Sequence, residues 1–202
     1  MLNDLAANAA GEGIARHGDE LRRSHRTKSF LGRLLGVQTE DAAYRKGAEG
    51  EQLVGKQLAK LGPGWHVLHS IPIGSKGTDI DHLVIGPAGS FSLNTKNHQG
   101  GHVTVYADGV VVNRRQTRYL EASRSEARKV SRILERVVGY PVDVTPVVVV
   151  IANSFAPKEQ PVDVRLVARK RIRQWFEALP KILDAETVEG VYAAARRPET
   201  WT

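Results

Sequence analysis

The chain has 202 residues, 41% hydrophobic and 25% charged, with a net charge of +7 and a pI of about 9.8. That length fits one compact domain with extensions. The basic balance favours a polyanionic partner, nucleic acid first, although basic side chains that only solvate a surface give the same total. There is no cysteine, which excludes disulfides, thiolate zinc sites and cysteine nucleophiles. No apolar run is long enough to span a bilayer, and the start lacks the basic and apolar regions of a signal peptide, so a cytoplasmic protein is expected.

Residues 1–40 read as a basic, partly helical arm. Arg16, Arg22, Arg23, Arg26, Lys28 and Arg33 stand against Asp19 and Glu20. The segment Ser29-Phe-Leu-Gly-Arg-Leu-Leu-Gly36 has an apolar side, suited to docking on the core or to peripheral contact with a membrane. Residues 41–62 predict a helix capped by Asp41 and stopped by Gly62-Pro-Gly64, with Tyr44, Ala48, Glu51, Val54, Leu58 and Leu61 on one face. Glu51 on that stripe is unusual. An inward carboxylate is costly unless it is paired or metal-bound, or reaches water at the stripe's edge.

Strands follow at 65–73, 77–86 and 89–97. A hairpin over 102–106 and 110–113 turns at Ala107-Asp-Gly109, and Gly100-Gly101 reads as a flexible turn before it. A helix over roughly 115–138 turns Arg124, Arg128, Lys129, Arg132 and Arg136 outward and ends at Gly139-Tyr-Pro141. Thr145-Pro-Val-Val-Val-Val-Ile-Ala152 predicts a strand buried on both faces. A short strand over 164–168, a basic helix over 169–179 and a helix near 185–196 complete the chain. The order helix, strands, helix, strand predicts an α/β fold with a mixed central sheet flanked by helices.

The chemistry concentrates in Gly77-Thr-Asp-Ile-Asp81-His-Leu-Val-Ile-Gly86 and Gly89-Ser-Phe-Ser-Leu-Asn94-Thr-Lys96. Asn94 and Lys96 are two apart and share a strand face, with Thr95 opposite. An acid, a second oxygen donor and a lysine on adjacent strands form the arrangement that metal-assisted phosphodiester hydrolysis uses. A plain Asp81–Lys96 ion pair is the simpler alternative. His66 and His69 are three apart on a strand and do not chelate one metal. His82 faces away from Asp81, toward packing. Trp175 shares a helical side with Ile172, Phe176 and Leu179, which suits a core, though it could also stack on a base.

Four segments in order, Gly47-Ala-Glu-Gly-Glu51, Gly77-Thr-Asp-Ile-Asp81-His82, Gly89-Ser-Phe-Ser-Leu-Asn94-Thr-Lys96 and Asn113-Arg-Arg-Gln116, resemble the nuclease-related domain (NERD). That family is similar to the PD-(D/E)xK nuclease superfamily. The resemblance covers roughly residues 41–152. It implies a restriction-endonuclease-like core; the basic, partly helical N-terminal arm (1–40) and the C-terminal strand-helix extension (153–202), expected to pack on the core, lie outside it. It implies that Asp81 is a metal ligand, that Lys96 positions the attacking water, and that Glu51 assists metal binding. Gln116 matches a glutamine that opens the helix after the hairpin. Asp79 neighbours the motif without being its ligand.

The family's Glu-x-Lys is Asn94-Thr95-Lys96 here. An amide still offers Mg²⁺ a carbonyl oxygen but brings no charge. The expectation is therefore an Mg²⁺- or Mn²⁺-dependent nuclease with Asp81, Glu51 and Asn94 as ligands, acting on DNA in preference to RNA. The alternative is a catalytically degenerate nucleic-acid-binding module. Arg114, Arg115, Lys76 and His98 are the candidate nucleic-acid contacts. Homodimerisation through an edge strand stays open.

Overall fold

A single mixed sheet of seven strands organises the chain, in a computed structural model that describes residues 4–13, 37–73 and 78–202. The strands are β1 (His66–Ile73), β2 (Thr78–Gly86), β3 (Gly89–Tyr106), β4 (Gly109–Val112), β5 (Arg115–Thr117), β6 (Val144–Pro157) and β7 (Arg165–Ala168). Among the described residues, the helices α1 (Val37–Leu58), α2 (Tyr119–Val138), α3 (Ile172–Glu177) and α4 (Ala185–Ala195) accompany them. Strands β1 to β5 run antiparallel in chain order, while β6 lies parallel to β3 and β7 parallel to β6. The expected α/β class, a mixed sheet flanked by helices, is what the chain adopts.

Strand alternation divides the core into two sides. Val84, Phe91, Leu93, Val147, Val149 and Ile151 pack with Val54 and Leu58 of α1 and with Ile172 and Phe176 of α3. Leu68, Leu83 and Ile85 pack with Val130 and Leu134 of α2 and with Val188 and Val191 of α4. Val148 and Val150 face a third cluster with Val103, Val105 and Leu120. The unbroken apolar run of β6 is thus buried on both faces, as its composition predicts.

Strand β3 positions the site. Its first half pairs with β2 down to the rung His82–Leu93, and its second half pairs with β4 from Val103. Between those rungs the edge of β3 opens, while β6 pairs with its other edge on both sides of residues 99–101. Residues 99–101 do not end the strand, contrary to the expected turn. They form a bulge where the β3–β6 register shifts between His98 and His102, and Gly100 supplies the left-handed conformation at φ 78°.

Three further expectations are corrected. The helix over 119–138 starts after a short strand, because Arg115–Thr117 pairs with β4 through a two-residue turn. Asn113 and Arg114 sit at positive φ there, the signature of a tight hairpin turn. Asp41 lies inside α1, which already runs at Val37. The basic segment from 169 opens as a 3₁₀ turn, Arg169–Arg171, before the short α3.

Residues 4–5 and 196–201 join the body. Leu5 is buried in the core beside Trp201, and its N–H donates to Arg196 O at 3.0 Å. Asp4 pairs with the Arg196 guanidinium. Asp4 and Leu5 of the arm are therefore docked on the core. The amphipathic segment 29–36 lies outside the described residues. Among the described residues no helix is long and apolar enough to cross a membrane.

Candidate active site

The site lies where β2 and β3 part. Beyond the His82–Leu93 rung the Asp81 carboxylate takes the place of a backbone acceptor, and Thr95 N–H donates to its Oδ2 at 2.6 Å. Even-numbered β3 residues Ser92, Asn94 and Lys96 face α2, and odd-numbered Thr95 and Asn97 face α1. The sequence spacing placed Asn94 and Lys96 on one face, and their α2 contacts do so too.

Lys96 forms no ion pair among the described residues. Its ammonium lies 5.2 Å from the centre of the Tyr119 ring, a cation–π contact that leaves its hydrogen-bond donors uncommitted. The Tyr119 hydroxyl in turn meets His98 Nε2 at 2.8 Å. The simple Asp81–Lys96 ion pair is thus not what holds these residues.

Glu51 enters from α1 and is only 4% exposed. Its carboxyl is raised well above the ordinary range, first by burial and then by the negative charge of Asp81; the Gly11 amide and Lys96 pull the other way. Asp81 is also raised, mainly by burial, against the opposing Thr95 N–H and Lys96. Burial is the leading physical cause in both, with repulsion from a neighbouring carboxylate adding to it: Asp81 acting on Glu51, and Asp79 acting on Asp81.

The sequence reading missed Glu126. Its carboxylate comes from α2, accepts from Ser92 Oγ, and accepts from Asn94 Nδ2 at 3.3 Å. Burial pushes it up to about 7, with Ser92 opposing and Asp81 adding repulsion. A signal existed: Glu126 is three residues after buried Ser123 and four before buried Val130, on the inward side of a helix otherwise ringed with arginine.

Asn94 Oδ1 is buried with no hydrogen-bond partner, while the same amide donates to Glu126. Since a buried orphan carbonyl is costly, it marks a place for a donor or cation. Among the described residues no three acidic or histidine groups stand close enough to hold a metal ion by themselves. A set of two carboxylates completed by this amide oxygen would be all-oxygen, the kind a hard cation such as Mg²⁺ takes.

The remaining expected residues fall elsewhere. Gln116 is exposed on β5, with Nε2 against Gly109 at the tip of the β3–β4 hairpin, so it does not open the helix. Arg114 and Arg115 are exposed on the neighbouring turn and strand. Lys76 lies outside the described residues. His82 is fully buried; its Nδ1 meets His69 Nδ1 at 2.7 Å and its Nε2 lies 3.5 Å from Thr95 Oγ1, so it packs behind the site. His66 meets Glu189 at 2.8 Å instead of sharing a partner with His69. Trp175 packs edge-on against Phe91 and Phe176. It also lines a groove of about 710 Å³ beside β7, with Phe155, Arg165 and Arg171.

Residues 9–13 cross the site from the side of α1. Asn8 Nδ2 donates to the carbonyls of His69 and Ser70, and Ser70 Oγ donates to Ala9 O. Ala10 packs on Gly55, Gly11 on Ala48, and Gly13 against the Asp79 carboxylate. The segment thereby shields Glu51 from solvent.

Residues 46–151 match the nuclease-related domain family (NERD). An uncharacterized protein of Bacillus anthracis is 42% identical over 59 residues, which span 27% of this chain and 28% of that protein. No solved structure matches.

Proposed function

Since the chain belongs to the nuclease-related domain family, we propose that it is a divalent-metal-dependent nuclease that hydrolyses phosphodiester bonds, with DNA as its substrate. The observation that carries this reading is the grouping of Asp81, the orphaned Asn94 carbonyl and an ion-pair-free Lys96 at the parting of β2 and β3. Asp81 and Asn94, assisted by Glu51, would hold Mg²⁺ or Mn²⁺. When bound, such a cation lowers the pKa of an attacking water and offsets charge developing on the phosphate.

The chain's own residues do the rest. Lys96, held over Tyr119 rather than locked to an acid, can hydrogen-bond the attacking water and add positive charge next to the scissile phosphate. Thr95 N–H fixes the orientation of Asp81. Tyr119 and His98 wall the Lys96 side of the opening. Arg114 and Arg115 present sequence-independent charge to the phosphate backbone.

The test is incubation of the purified protein with linear and circular DNA in Mg²⁺, in Mn²⁺ and in chelator. Metal-dependent cutting supports the reading, and cutting of circles identifies an endonuclease. The lack of a three-acid cluster among the described residues favours a second reading, a binding module without catalysis. Salt-sensitive DNA binding with no cutting in either metal would establish it.

A further inference from the structure

We propose that Glu126 supplies the carboxylate that position 94 lacks, as a metal-holding residue presented from α2 and fixed by Ser92 and Asn94. This rests on the metal-dependent reading above. In the resemblance the strand carries the acid; here the strand carries an amide and the facing helix carries the acid, 3.3 Å away.

Each contact argues for this exchange. Carboxylate oxygens only accept, so Glu126 Oε2 requires the amino side of the Asn94 amide. That choice leaves Asn94 Oδ1 facing elsewhere, and it is the buried atom without a partner. Ser92, only 1% exposed on a core strand, offers the other Glu126 oxygen a hydroxyl where an aliphatic residue would pack against it. Each carboxylate oxygen has two acceptor positions, and one donor on each leaves the others free.

Among the described residues no lysine, arginine or histidine pairs with Glu126, although Arg124 and Arg128 stand two positions either side on the same helix. Arg124 is committed to Asp163 instead, at 2.7 Å. With neutral hydrogen-bond donors in contact and Lys96 attracting it only from beyond ion-pair distance, a buried acid is costly, and a cation relieves that cost. A purely architectural position would be better filled by glutamine, which keeps a hydrogen bond without the charge.

The test is Mn²⁺ titration followed by calorimetry, together with thermal melting in chelator, on the wild type, Glu126→Gln, Asp81→Asn and the exchange variant Asn94→Asp/Glu126→Gln. Glu126→Gln should weaken Mn²⁺ binding by about 10- to 100-fold and leave the metal-free melting temperature equal or higher. The exchange variant, which returns the acid to the strand, should recover affinity to within about tenfold of wild type. If wild type binds Mn²⁺ through Asp81 but Glu126→Gln binds it as tightly, the Glu126 assignment alone falls. If Glu126→Gln lowers the metal-free melting temperature with no change in affinity, Glu126 is structural. If wild type binds no Mn²⁺, this inference and the metal-dependent reading fall together. Should Glu126→Gln not fold, the exchange variant decides: failure to bind Mn²⁺ while folded overturns the assignment.

Discussion

Thr95 and Asp81 are joined by a backbone-to-carboxylate hydrogen bond of 2.6 Å, formed one residue past the last β2–β3 rung. The side chain completes the ladder where the strands separate, so the same carboxylate is structural on one oxygen and available on the other. Asp81→Asn keeps an oxygen for Thr95 N–H and removes the charge. Metal-dependent cleavage should fall at least about 100-fold, the upper end for disturbing a metal's surroundings, while melting in chelator stays at or above the wild-type temperature because a buried charge is gone. Matched cleavage rates and melting curves check both halves.

Gly50 sets how closely α1 approaches β3. A Cβ there would lie 2.9 Å from Asn97 Cβ and 3.3 Å from Thr95 Cγ2. Gly50→Val should cost about 1–3 kcal/mol by overpacking and should also move the adjacent Glu51 away from Asp81. Denaturant unfolding measures the first effect. Weakened Mn²⁺ affinity in the folded variant measures the second, and affinity equal to wild type would show that Glu51 does not depend on this contact.

The raised Glu51 carboxyl has a defined pH signature. Its folded value lies above its ordinary value of 4.5, so the folded protein binds more protons than the unfolded chain above that pH. Stability from this group is complete below 4.5 and is lost as pH rises through the elevated folded value. In chelator, wild type should therefore lose stability from acid toward alkaline pH more steeply than Glu51→Gln. Urea midpoints across that range test the difference. Parallel curves for the two proteins would contradict the assignment.

Much of this arrangement was legible in the sequence. Alternation fixed the shared face of Asn94 and Lys96, the helical stripe placed Glu51 inward, and the apolar run over 145–152 revealed the doubly covered strand. Other features were not legible. Residues 99–101 look like a turn because glycine marks both turns and bulges; only the pairing with β6 separates them. Gln116 was misplaced because Arg115–Thr117 is too short to show a strand period. Glu126 was hidden among arginines, since its meaning depends on which β3 side chains face α2.

The exposed Arg114–Arg115 turn should contribute to binding through phosphates. Arg114 holds a left-handed backbone at φ 68°, which displays it at the hairpin end. Replacing both arginines by alanine should weaken DNA binding uniformly across sequences and reduce the salt slope by about 2. Fluorescence titrations at several salt concentrations give that slope, and an unchanged value would place the phosphate contacts elsewhere.

The central claim is that Lys96 serves the chemistry rather than the fold. The most direct measurement is single-turnover cleavage of DNA in saturating Mn²⁺ by wild type and Lys96→Met, with Mn²⁺ and DNA affinity determined on the same samples. Cleavage should be lost while the variant stays folded and still binds both. Cleavage at the wild-type rate in contaminant-free Lys96→Met would contradict it.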